Sequence, residues 1–414
     1  MRQVTGKRRL RIAVDLTPML PGGANGGVKP AILEFIRALQ ELKDPGFDFC
    51  FITAGSAHAE IRALATDRDE TIRLGSAKGR RILRPALFGR ERVDLLYAPF
   101  GMVRFPYIGV PIVSMVVDLL HRDYPHSLPV TERQFRESYF TNMVLCADRF
   151  QVISDYTGER LAYHYNVPLD KIFRTYLPIQ DRLKPAHKPI CPANRFFFYP
   201  ANFWPHKNHE ILLIAYQIYR HQAGSSAWDL VLAGSDDPRR LGLQVLAKRL
   251  GIDRHVIFKG HMPDTDFAQL FSTAAALAFP SLHEGFGIPP LEAMTLGVPV
   301  LTSDSGSLPE VVSQAGVLVD PRKPVELAAA MQRVASSDEL QVDLRKRGFE
   351  RAKCFSFQSE VRRLADSFVQ TALLAKRLSW NERLRRRFAL LRSDGLTFSR
   401  AAAGRAYRFL RDRV

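Results

Sequence analysis

Six short apolar runs between residues 196 and 319, each separated from the next by a helical pattern, constrain the fold of this chain more than any other feature. The runs are Phe196–Tyr199, Leu230–Ala233, Val256–Phe258, Ala275–Phe279, Val298–Leu301 and Val317–Val319. Strands and helices in strict alternation imply a parallel sheet covered by helices. The chain opens in the same way. Leu10–Val14 reads as a buried strand, Pro18–Gly27 as a glycine-rich turn, and Val28, Ile32, Phe35, Ile36 and Leu39 recur at helical spacing. Between these regions Pro178, Pro185, Pro189 and Pro192 punctuate a polar segment carrying Lys184, His187 and Lys188, which predicts a linker. The expected division is therefore residues 1–183 and 184–365 as two α/β domains. Residues 366–414 follow as a C-terminal helix and basic amphipathic tail.

Cysteine usage and charge narrow the setting. Cys50, Cys146, Cys191 and Cys354 lie far apart and form neither metal-ligand pairs nor a disulfide framework, as in a protein of the reducing cytoplasm. Lys7, Arg8, Arg9 and Arg11 precede the first apolar run, but Asp15 breaks that run, so it reads as a strand and not as a signal peptide. No apolar stretch is long enough to span a bilayer.

The densest chemistry lies in Phe279-Pro-Ser-Leu-His-Glu-Gly-Phe-Gly-Ile-Pro-Pro-Leu-Glu-Ala-Met-Thr-Leu-Gly-Val-Pro-Val300. It reads as strand, loop, helix, strand, with Gly297 and Pro299 closing the helix. Gly285 and Gly287 let the backbone approach a ligand, and Pro289 and Pro290 suit a first helical turn. Amides at that helix start favour an anion such as a diphosphate, with the carboxylates Glu284 and Glu292 on either side as acceptors for hydroxyls. Without its context, a pair of glutamates at this spacing is ordinary surface charge.

That context resembles the retaining glycosyltransferases of family 4, whose signature is two glutamates separated by seven residues. The resemblance spans residues 10 to 370 and is strongest from 196 to 320. It implies a GT-B fold: α/β, two Rossmann-like domains with parallel sheets facing across a cleft, the acceptor bound mainly by the first and the donor by the second. It also assigns the donor sugar hydroxyls to Glu284 and the nucleotide ribose to Glu292. A second match is Tyr199-Pro-Ala-Asn-Phe-Trp-Pro-His-Lys-Asn-His-Glu210. In the family a lysine followed by asparagine or glycine contacts the donor diphosphate here, so Lys207 takes that role. Many members also place an arginine a few residues earlier, where this chain has Ala201 and Asn202.

Weaker matches extend the resemblance. Pro21-Gly-Gly-Ala-Asn-Gly-Gly27 falls where the family's glycine loop meets phosphates or acceptor, with Gly22 and Gly23 the expected contacts; in isolation it is a turn. Val113–Pro125 resembles the strand and loop written His-Asp-Leu in many members. Asp118 carries over as a catalytic candidate beside Lys207 and Glu284, while Val117 replaces the histidine. His121, three residues on, is either its substitute or an exposed loop residue. Phe258-Lys-Gly-His-Met-Pro263 corresponds to the loop that receives the base, with Met262 against it. The donor-binding set is completed by Gly285, Phe286, Gly287 and Ile288. Ser303–Glu310 brings Gly306 near the sugar, and Glu310 reads as a first-turn carboxylate.

No metal and no cofactor are expected. Asp264-Thr-Asp266 has the form used by metal-dependent glycosyltransferases, but Pro263 precedes it, and Phe267, Leu270 and Phe271 follow at helical spacing. Asp264 therefore reads as a helix cap. Asp236-Asp237 reads as loop charge, and the histidines lack zinc-type spacing.

The net charge of +17 concentrates in Lys78–Arg92 and in the tail, where residues 376–414 hold twelve Lys or Arg against three Asp or Glu. Interleaved apolar residues make either stretch suited to an anionic membrane, as befits a lipid-linked acceptor, or else a solvated basic segment. No nucleic-acid recognition motif accompanies the charge. The expected activity is retaining, metal-independent transfer of a sugar, with mannose from GDP-mannose as first choice, to a glycan or lipid-linked hydroxyl in surface polysaccharide synthesis. The expected setting is cytoplasmic, at the inner face of the membrane. The rivals are a nucleotide-sugar-binding scaffold without activity and a sugar-nucleotide epimerase of the same fold.

Overall fold

The computed structural model describes residues 9–21, 26–74, 93–104, 110–179, 195–235 and 237–374. These form two compact units, each built on its own parallel sheet.

In the first unit the strands β1 (Leu10–Asp15), β2 (Phe47–Ala54), β3 (Glu70–Leu74), β4 (Leu95–Ala98), β5 (Ile112–Val116), β6 (Arg149–Val152) and β7 (Ile172–Arg174) lie in the order β3-β2-β1-β4-β5-β6-β7. The sheet in the second unit comprises β8 (Phe196–Pro200), β9 (Asp229–Ala233), β10 (Val256–Lys259), β11 (Ala276–Phe279), β12 (Val300–Ser303) and β13 (Gly316–Val319), in the order β10-β9-β8-β11-β12-β13. Both orders are those of a doubly wound sheet, in which the chain reverses its winding beside the first strand. The inner strands β4, β5, β11 and β12 are buried at every position, as strands covered by helices on both faces must be. In register, Phe197 sits opposite Ala276, and Leu277 opposite Val300. All six apolar runs that dominate the sequence are thus the six strands of the second sheet.

The units interleave along the chain. The helix Phe357–Leu374 belongs with the first unit, because its buried stripe of Val361, Leu364, Ala365 and Phe368 has partners there. Phe357 packs on Phe35 with ring centroids 5.2 Å apart, and Phe368 meets Tyr97 at 5.0 Å. The Glu360 carboxylate accepts the Tyr176 amide at 3.1 Å. A boundary at 365/366 would cut this helix in two, whereas the packing starts the returning segment at Phe357. The short segment Leu120–Pro129, by contrast, groups with the second unit: the Tyr124 ring meets that of His283 at a tilt, and Asp123 lies 3.8 Å from the His283 ring nitrogen.

Cys50 and Cys146 are buried thiols and Cys354 is an exposed one. Among the described residues no helix is long and apolar enough to cross a membrane. The basic segment at 78–92, most of the Pro-rich linker (including Cys191), Asp236 and the tail from 375 lie outside the described residues.

Candidate active site

The reversal of winding in the second sheet falls between β8 and β11, and the loops leaving these two strands carry the strongest motifs of the sequence. Helices depart to opposite faces here, opening a crevice at the carboxyl ends of the strands. Lys207 comes from the loop after β8 and Glu284 from the loop after β11. They meet directly: Lys207 Nζ donates to Glu284 Oε1 at 2.6 Å, with the side chains only 15% and 13% exposed. Such shielding makes the pair stronger than an ordinary surface ion pair while leaving it reachable. Lys207 Nζ also lies 5.7 Å from the centroid of the Phe279 ring.

Buried polar groups fix both loops. Asn208 adopts the left-handed conformation (φ 63°), which asparagine tolerates better than most residues. From there its buried side-chain amide donates to the carbonyls of Pro280 at 3.1 Å and Pro321 at 2.7 Å, tying the loop after β8 to those after β11 and β13. This is the physical reason for a lysine followed by asparagine. The Tyr199 hydroxyl donates to the Lys207 carbonyl at 2.6 Å and lies 3.1 Å from the Ser281 hydroxyl, while Ser303 donates to the Ser281 carbonyl at 2.6 Å. Burial pushes the Tyr199 phenol well above its usual range, so it stays neutral as a donor. His209, enclosed by the Tyr199 and Phe203 rings, is driven down to about 3 by burial and by the nearby Lys207 and Arg239 charges.

After Glu284 the chain turns through Gly285, Phe286 and Gly287 into the helix Ile288–Leu296. Gly287 caps this helix at φ 111° without any side-chain cap, and a Cβ there would lie 2.8 Å from Leu308. Pro289 and Pro290 carry no amide hydrogen, so the donors left in the first turn are the amides of Gly287 and Ile288. The Phe286 ring is buried against Phe355, leaving only its main chain to face a ligand. Glu292 lies one turn further along, buried at 1% exposure on a helix otherwise apolar at its buried positions. Gly306, the glycine expected near the sugar, lies against the loop that carries Glu284. At φ 65° it packs on the Glu284 main chain, where a Cβ would lie 2.9 Å from the Glu284 carbonyl. Ser307 then bonds that carbonyl from its hydroxyl at 3.0 Å and its amide at 3.2 Å.

The remaining candidates are spread more widely. Met262 is half-buried in the loop after β10, at the edge of the sheet and two strands from β8. Asp118 lies in the first unit after β5, paired with Arg136 at 3.0 Å; Arg136 also donates to Glu132 at 2.9 Å. His121 is buried at 2% exposure and not displayed on a loop surface. Gly22 and Gly23 lie outside the described residues. The helix Asp264–Ser272 begins at Asp264 itself, with Pro263 in the cap position and no side-chain cap, so Asp264 and Asp266 both sit in the first turn. Among the described residues no three His, Cys, Asp or Glu side chains gather in a way that could hold a metal ion. Tyr199, Ser281, Ser303 and Ser307 escape sequence reasoning. Their polar atoms work from strands, a loop or a helix start, where the sequence shows only β-propensity or turn character.

Residues 183–351 match the family of glycosyl transferases group 1. That match spans about two fifths of the chain, and the two Rossmann-like units are those of the GT-B fold. Its relatives are more particular. An O-antigen chain mannosyltransferase B of Escherichia coli is 29% identical over 244 residues, covering 57% of this chain and 64% of the relative. The O-antigen chain mannosyltransferase RfbU of Salmonella typhimurium is 28% identical over 319 residues, covering 72% and 84%. The serotype-specific mannosyltransferase WbdA of Escherichia coli is matched over about a third of its own length. Among solved structures, WaaG, a glycosyltransferase involved in lipopolysaccharide biosynthesis, superposes with a TM-score of 0.62 at 17% identity, covering 86% of this chain and 99% of that one. HepE of Anabaena, solved in complex with UDP-glucose, gives 0.64 at 17% identity, covering 87% and 100%.

Proposed function

We infer that this protein is a retaining, metal-independent glycosyltransferase that moves mannose from GDP-mannose to a hydroxyl of a glycan or lipid-linked acceptor in surface polysaccharide synthesis. It works in the cytoplasm, at the inner face of the membrane where the acceptor is lipid-carried. The observation that carries this reading is the Lys207–Glu284 pair at the β8/β11 switch point, set beside a glycine turn that opens a helix. A cation and main-chain amides converging there suit a nucleoside diphosphate, and two carboxylates nearby suit hydroxyls of sugar and ribose.

In this mechanism the leaving diphosphate is stabilised by the Lys207 ammonium and the amides of Gly287 and Ile288. Charge compensation at the leaving group, together with orientation of the acceptor hydroxyl, lowers the barrier. Glu284 fixes the sugar through its hydroxyls and Glu292 the ribose. Met262 packs against the base, and Gly22, Gly23 and Asp118 serve the phosphate or acceptor side. With retention at the anomeric carbon, the leaving phosphate takes the acceptor proton and no separate protein base is needed. Mannose as the transferred sugar is supported by relatives named as O-antigen chain mannosyltransferases, and the GDP carrier is part of this reading.

The test is a thermal-shift screen of GDP-, UDP- and ADP-sugars with chelator present, followed by transfer assays with the stabilising donor. Stabilisation by GDP-mannose, lost in Glu292→Ala, together with chelator-resistant transfer and an α-configured product, is the expected result. Inversion at the anomeric carbon, or transfer abolished by chelator, would refute the retaining or the metal-independent part.

A further inference from the structure

The Lys207–Glu284 pair poses a problem for the role it is given. The ammonium that must receive a diphosphate is already bonded to a carboxylate at 2.6 Å, and that carboxylate must itself receive sugar hydroxyls. Neither loop backbone has slack to separate them. The Lys207 main chain is held by Tyr199 and flanked by the Asn208 staple, and the Glu284 main chain by Ser307 and Gly306. Opening the pair is therefore a side-chain event at fixed backbone.

We propose that Glu284 is a guard on Lys207 that makes the site prefer an anion carrying sugar hydroxyls over the bare diphosphate. This rests on the donor reading above and adds a specificity role to it. A bare diphosphate competes with Glu284 for the ammonium and leaves the carboxylate, poorly exposed, facing a second anion without a donor. A nucleotide sugar presents the diphosphate to Lys207 and hydroxyl donors to Glu284 together, so the carboxylate exchanges one hydrogen-bond partner for another. Once the sugar has left, Glu284 recaptures Lys207 and weakens the hold on the product.

Inorganic pyrophosphate probes the lysine without any sugar or nucleotide. Titration calorimetry at physiological salt should show Glu284→Gln binding pyrophosphate about tenfold more tightly than wild type, the scale of one charge-assisted hydrogen bond released. The gain should vanish in the Glu284→Gln/Lys207→Met double variant. Glu326→Gln, which removes the same charge from the exposed Lys323–Glu326 pair, should leave binding unchanged. Circular dichroism confirms that each variant is folded, and Glu284→Asp, which shortens the side chain, should fall between wild type and Glu284→Gln. Equal affinity in wild type and Glu284→Gln, an equal gain in Glu326→Gln, or no pyrophosphate binding by either protein would overturn the guard. Failure of the donor reading gives a different pattern: pyrophosphate responds as described while no nucleotide sugar binds wild type.

Discussion

The two sheets share one strand order through their first six strands, yet their switch points hold opposite kinds of chemistry. Between β8 and β11 the residues are a reachable ion pair, Lys207 and Glu284, in loops thinned by Gly285, Gly287 and Gly306. Between β1 and β4 the central residue is Asp15, 1% exposed, whose Oδ1 accepts from the Thr17 amide at 3.0 Å and the Thr17 hydroxyl at 2.6 Å. Arg104, in the loop after β4, donates to the same Thr17 hydroxyl at 3.2 Å. Leu16, Thr17 and Met19, which follow β1, are themselves buried, so this carboxylate is sealed. The topology supplies the crevice, and loop bulk decides whether a charge in it meets solvent or becomes a brace.

The contrast breaks most sharply at the open end. Lys207→Met should lower the rate of sugar transfer by about 10²- to 10³-fold, as expected for loss of one preorganised cation at a leaving group. Unfolding in urea should show a loss of about 1 to 2 kcal/mol, because the shielded Glu284 carboxylate is left without its cation. Initial rates at saturating donor, beside urea midpoints, decide it. A rate within a few-fold of wild type would remove Lys207 from the mechanism.

Next in size is the brace that keeps the open site in place. Asn208→Ala leaves the Pro280 and Pro321 carbonyls without their donor and forces a left-handed alanine, a loss of roughly 2 to 4 kcal/mol. Asn208→Gly relieves the backbone strain and loses only the hydrogen bonds, so it should be measurably more stable than the alanine variant. Equal stability of the two would mean that the left-handed conformation costs nothing here. Gly306→Ala acts on the partner residue, since its Cβ would press on the Glu284 carbonyl. Displacing Glu284 by a fraction of an ångström should lower kcat by about tenfold or more, beyond any stability loss.

These residues also mark what the sequence made legible. Six strands of the second sheet stood out because each holds a short apolar run bounded by helical spacing, and Lys207, Glu284 and Glu292 stood out because their neighbours are glycines, prolines and aromatics in a fixed pattern. Less of the first unit was legible: beyond the opening strand and the segment at 113, its strands lack comparable motifs. The return of Phe357–Leu374 to the first unit was hidden because its apolar stripe suits any sheet face, and only the aromatic partners Phe35, Phe47 and Tyr97 select one. Tyr199 and Ser281 were hidden for a similar reason. A strand tyrosine reads as core until its hydroxyl is seen to end on the Lys207 carbonyl.

Near neutral pH the effect at His209 is smaller still and grows on acidification, and the two regions should respond to pH with opposite sign. His209, beside the open site, has a folded-state value depressed to about 3, so its neutral form stabilises the fold above the unfolded value of about 6.5. That stabilisation is lost as pH falls, by roughly 3 kcal/mol at pH 4, because the unfolded chain takes up the proton and the folded one does not. His209→Phe keeps the ring packing and should grow more stable relative to wild type as pH drops below 6.5. Asp15 is raised, by burial first and against the pull of Arg104, so the folded state holds its proton more tightly than the unfolded one. Its cost therefore appears as pH rises above the unfolded value near 3.9 and persists at neutrality. Asp15→Asn retains an oxygen for Thr17 and should gain on wild type with rising pH. Urea unfolding of both variants from pH 4 to 7 should thus give differences of opposite slope. Parallel slopes would mean that Asp15 is as well solvated as the open pair, and the contrast between a sealed and an open switch point would fall.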